Sequence, residues 1–135
     1  MDEMNKNIAR QAMKALDERN LDGVVADASP SCRFHGWAPE ALDVEGYKGF
    51  MGGLLAAFPD SRIIVDDVIA GDGRVAVRHR LRGTHLAELQ GIPPTGKPVE
   101  AGGIVIFRIE NGRIAEAWLN ADMMGMMQQM GVVPA

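Results

Sequence analysis

The chain has 135 residues and sets 14 Lys and Arg against 18 Asp and Glu, for a formal charge of −4. That length suits one compact domain, residues 1–135, which can bury roughly two-thirds of its unfolded surface without a disulfide or metal. Mild acidity with no basic block argues against nucleic acid or an anionic membrane surface as partner, because both require clustered Lys and Arg. The lone cysteine, Cys32, has no internal partner for a bridge, and no stretch approaches the ~20 apolar residues that span a bilayer. The opening MDEMNKNIARQ carries no signal-peptide pattern, so the expectation is a cytoplasmic protein.

Met4, Ile8, Ala12 and Leu16 recur every four residues among charged ones, which predicts an amphipathic helix ending near Asn20. A short helix after Asp22 and a brief strand over Ser31–Gly36 follow. Asp43 is placed to cap a helix that aligns Tyr47, Phe50, Met51, Leu54, Leu55 and Phe58 on one stripe, and Pro59 stops it. The period then changes to two. Arg62–Ala70, the turn Gly71-Asp72-Gly73 and Arg74–Thr84 predict an antiparallel hairpin, and Asn111-Gly112 predicts a second one between Val99–Ile109 and Arg113–Asn120. A Met-rich helix over Asp122–Met130 ends at Gly131.

Helices first and hairpin-linked strands afterwards make an α+β fold, with helices packed on one face of an antiparallel sheet. Val75, Val77, His79 and Leu81 share one face of their strand and should meet the helices. Val99–Ile109 is apolar on both faces, with Ile104 and Ile106 on one side and Val105 and Phe107 on the other. A second copy of the chain is the economical cover for the side that no helix reaches, so a homodimer is expected.

The titratable candidates are few. His79 falls on the helix-facing side of an otherwise aliphatic strand, either as a pocket imidazole or as a core histidine bonded to a carbonyl. His35, beside Trp37, fits a pocket rim and equally a surface position, while His85 reads as structural or exposed. Asp122, beside Trp118 and Met123, is either a helix N-cap or a carboxylate whose apolar neighbours suit general acid/base work. No His, Cys, Asp or Glu spacing resembles a metal site, and Asp66 and Asp67 should point to opposite faces of their strand. Nucleotide-binding glycine loops and a Gly-x-Ser-x-Gly elbow are also absent from the sequence.

The run FPDSRIIVDDVIAGDGRVAVRHRLRGTH, then LQGIPPTGKPVEAGGIVIFRIENGRIAEAW, then Asp122 and QQMG, resembles the SnoaL-like polyketide cyclase family, also called ester-cyclase-like. The likeness runs from about Gly46 to Gly131, and its most specific pieces are FPD, GTH followed by GIPPTGK, and E-x-W-x-x-x-D. The resemblance implies the nuclear transport factor 2-like fold, a curved antiparallel sheet wrapped with helices into a cone around an apolar pocket, usually dimeric through the sheet. It implies an intramolecular aldol closure without metal or organic cofactor, with Asp122 as acid/base and His35 near the reacting groups. A small apolar ligand would lie among His79, Trp37, Trp118, Tyr47, Phe50, Leu54 and Phe107. Two alternatives on the same fold are an epoxide hydrolase or isomerase, the former needing Glu116 as a second carboxylate, and a non-catalytic ligand-binding dimer.

Overall fold

The computed structural model describes residues 1–134. The four-residue spacing at the start folds as α1 (Asp2–Asp17), which buries Ala9, Ala12, Met13 and Leu16. Its exit is fixed by Arg19, whose backbone takes a left-handed φ of 64°. The Arg19 guanidinium then donates to the carbonyls of Leu55 and Phe58 at 2.6 and 3.2 Å, satisfying two carbonyls at the end of the third helix. Asn20 caps α2 (Leu21–Val24) by accepting from Gly23 N. Asp43 caps α3 (Val44–Ala57) by accepting from Gly46 N at 2.8 Å. A cap of this kind stabilises a helix by about 1 kcal/mol.

Five strands form one sheet in the order β1-β5-β4-β3-β2: β1 (Ala28–His35), β2 (Arg62–Gly71), β3 (Arg74–Thr84), β4 (Pro98–Glu110) and β5 (Arg113–Ala121). Both hairpins form at the expected turns, where Asp72-Gly73 and Asn111-Gly112 all have positive φ. One pairing departs from an all-antiparallel sheet, because β1 runs parallel to β5. No hairpin joins these two strands, so turn chemistry does not fix their relative direction. The final helix, α4 (Met123–Met130), is capped by Asp122 and ends at Gly131 in the left-handed conformation. It buries Met126 and Met130 and packs on β4.

The inner face of the sheet is apolar as expected: Val75, Val77, Val105 and Phe107 are all buried, whereas Ile104 and Ile106 are 46% and 36% exposed on the outer face. Two bulges decide what else points where. Val65 pairs with His79 and Asp67 with Arg78, so Asp66 is an extra residue in β2. The bulge turns both carboxylates to the outer face, contrary to strict alternation, and each finds an arginine. Asp66 takes Arg80 at 2.9 Å, and Asp67 takes Arg78 at 2.6 Å. In β5, Arg108 pairs with Glu116 and Ile109 with Ile114, so Ala115 is extra. The phase therefore flips after Ile114, which sends Ala117 inward and Glu116 and Trp118 outward.

Candidate active site

The cone encloses a cavity of about 140 Å³ between the helices and the inner face of the sheet. Of the residues assigned to it from the sequence, Trp37, Tyr47, Phe50, Leu54, His79 and Phe107 line it. One wall is aromatic: Phe34 and Tyr47 stack with ring centroids 4.2 Å apart, and Trp37 meets both rings edge-on. Met123 and Met126 of α4 supply a pliable wall, and Leu89 and Gln90 reach in from the loop between β3 and β4.

His35 and Trp118 do not line this cavity. Phe34 points inward, so its neighbour His35 points outward, and the Ala115 bulge carries Trp118 to the same outer side. There the two rings stack, with centroids 5.6 Å apart and planes 14° from parallel. His35 Nε2 lies 2.6 Å from Glu116, which also receives Arg108 at 3.3 Å. The hydrogen bond from His35, followed by the Arg108 bond, holds the Glu116 carboxyl below its ordinary value. Glu116 is thereby committed to outer-face partners, and among the described residues no carboxylate lines the cavity. The two-carboxylate arrangement of an epoxide hydrolase is not assembled.

Asp122 acts as the cap of α4. Its Oδ1 accepts from Gly125 N at 2.8 Å and its side chain is exposed, while its neighbours Ala121 and Met123 face the cavity. The carboxylate therefore sits at the mouth rather than in the interior. His35, His79 and Asp122 do not converge on one enclosed space; of the three, His79 alone lines it.

His79 lines the cavity from β3. Its Nδ1 lies 3.3 Å from the Val77 carbonyl, which can only accept, so Nδ1 carries the proton and Nε2 keeps a lone pair. Burial lowers the pKa of the imidazole, opposed by the Val77 bond and by Asp66, and so favours the neutral form. Across the strands its partners are Val65 and Gly103. Gly103 has no side chain, and a Cβ there would crowd Asn120 O at 3.1 Å and Ala121 at 3.3 Å. Gly36, another lining residue, has φ of 99° and no room for a Cβ against the Leu119 carbonyl.

The remaining candidates are structural. His85 is fully buried, with Nδ1 accepting from Thr95 N at 3.2 Å, and it anchors the loop that carries Leu89 and Gln90. Cys32 is completely buried; desolvation, then the charge of Glu116, pushes its thiol up to about 11, so it stays protonated. Among the described residues no group of three His, Cys, Asp or Glu side chains could hold a metal ion. No helix among them is long and apolar enough to cross a membrane.

A helix-wrapped, curved sheet around an apolar cavity is the architecture of a nuclear transport factor 2-like protein. Residues 6–130 match the family model of the SnoaL-like polyketide cyclases, and the chain belongs to that family. Among solved structures, AclR of Streptomyces galilaeus, a proposed hydroxylase, superposes with a TM-score of 0.91 at 25% identity, covering 99% of this chain and 100% of that one. IdmH of Streptomyces antibioticus, a proposed polyketide cyclase, superposes with a TM-score of 0.81 at 30% identity, covering 94% and 98%. No curated protein matches the chain by sequence.

Proposed function

We propose that this chain is a cyclase-type enzyme that closes a ring by abstracting a proton from carbon next to a carbonyl, with His79 as the base. The observation that carries this reading is an imidazole on the wall of a largely apolar cavity, with its Nδ1 3.3 Å from the Val77 carbonyl. Nε2 takes the α-proton, and the C–H electron pair becomes an enolate. The enolate carbon then bonds to a second carbonyl carbon of the same molecule, and the resulting alkoxide recovers the proton from His79. Atoms and charge balance without a co-reactant, which makes the step an intramolecular aldol closure. Family membership and the likeness to IdmH support the same class of reaction.

The experiment is protein-dependent deuterium exchange at the α-carbons of cyclohexanone in D₂O, followed by NMR. Exchange should proceed with the native chain and vanish with His79→Gln. Exchange that survives the substitution removes His79 from the role.

A second reading keeps Asp122 as the acid/base, favoured by its position at the mouth between two cavity-lining residues. Asn retains a capping oxygen but cannot accept the proton as a carboxylate does, so Asp122→Asn separates the two readings.

For the outer face we infer a homodimer. Ile104, Ile106 and Trp118 form an apolar strip flanked by the Asp66–Arg80 and Glu116–Arg108 pairs, and no helix among the described residues covers it.

A further inference from the structure

Tyr47 is 3% exposed and lines the cavity, and its hydroxyl makes no hydrogen bond among the described residues. Among the described residues only His85 Nε2 is a fully buried polar side-chain atom without a partner, so the Tyr47 oxygen is open to a small molecule and free to donate to one. Burial pushes this hydroxyl above its ordinary pKa, so it holds its proton and can serve as a donor. Among the described residues no Asp, Glu, Lys or Arg side chain lines the cavity. An ionic ligand would therefore be desolvated there without compensation. The volume, about 140 Å³, is close to that of the engineered cavity of ~150 Å³ that accommodates benzene, and below the roughly 300–1,000 Å³ of pockets for drug-sized ligands.

From these three observations we propose that the part of the substrate held inside the cone is a neutral, single six-membered ring, or the chain that closes to one, whose carbonyl oxygen accepts from Tyr47. Tyr47 is then a catalytic residue, because the same hydroxyl stabilises negative charge as it develops on that oxygen during enolate formation. The assignment rests on the proton-abstraction reading above and adds a ligand class to it: one ring, uncharged, with the carbonyl that becomes the enolate at the aromatic wall. Met126, buried against β4, is one of the side chains that bound this volume.

The test is an NMR titration of the full chain with cyclohexanone, the bicyclic 2-decalone and benzene, following the indole N–H of Trp37, which lines the cavity, against that of Trp118, which does not. Cyclohexanone should move Trp37 alone and bind at least about tenfold more tightly than 2-decalone. Tyr47→Phe should weaken cyclohexanone by about five- to tenfold, the scale of one hydrogen bond, and leave benzene unchanged. Met126→Ala should raise the affinity for 2-decalone. Equal or tighter binding of 2-decalone by the native chain overturns the size assignment. Equal loss of cyclohexanone and benzene on Tyr47→Phe, or loss of neither, overturns the hydroxyl assignment. Binding does not require proton transfer, so failure of deuterium exchange with this binding pattern intact counts against the His79 chemistry alone.

Discussion

His35 and Glu116 meet at 2.6 Å on the outer face of the sheet, and the bulge at Ala115 places them there. Without the extra residue, alternation from the buried Ile114 would turn Glu116 and Trp118 toward the cavity. The pair is half-exposed and separated from the cavity by the thickness of the sheet. Glu116→Gln should therefore cost less than about 1 kcal/mol in urea unfolding, as exposed ion pairs do, and leave cyclohexanone exchange at the native rate.

Gly36 lines the cavity with φ of 99°, and the Leu119 carbonyl occupies the space a Cβ would need. Gly36→Ala should destabilise the fold by about 1–3 kcal/mol, measured by chemical denaturation, because both the backbone conformation and the close approach oppose a side chain.

The pH dependence follows from His79. Its pKa in the folded chain is depressed, chiefly by burial, below an unfolded value of about 6.5. Between those two values the unfolded chain binds the extra proton, so this group's contribution to stability is complete above about pH 6.5 and is lost as pH falls through the folded pKa. Deuterium exchange should follow the same direction, level above neutrality and declining in acid. A rate that instead rises as the solution is acidified would mean that the imidazolium form does the work.

The apolar strip on the outer face gives a separate expectation for assembly. Sedimentation of the native chain should show a dimer, and Ile106→Arg should shift it to monomer by placing an unpaired charge in the centre of the contact. A dimer that tolerates this substitution is built on another surface.

Much of this was legible in the sequence, for identifiable reasons. Asp43 and Asp122 announce their helices because a cap has a fixed chemistry, and Asp72-Gly73 and Asn111-Gly112 announce their hairpins because the turn demands positive φ. His79 reads inward because its strand alternates without interruption from Val75 to Leu81. The site was less legible because bulges carry no reliable residue signature. One extra residue at Ala115 reversed the facing of Trp118, and another at Asp66 put both neighbouring carboxylates on one face. The parallel β1–β5 pairing and the unpartnered Tyr47 hydroxyl are properties of tertiary placement, which no local pattern encodes.

In the proposed mechanism His79 takes the proton inside the cavity and Asp122 serves α4 as its cap. The most direct measurement compares cyclohexanone deuterium exchange by His79→Gln and Asp122→Asn, each checked for native stability. The predicted result is loss of exchange in His79→Gln and near-native exchange in Asp122→Asn; the reverse pattern would contradict the claim and move the chemistry to the mouth of the cone.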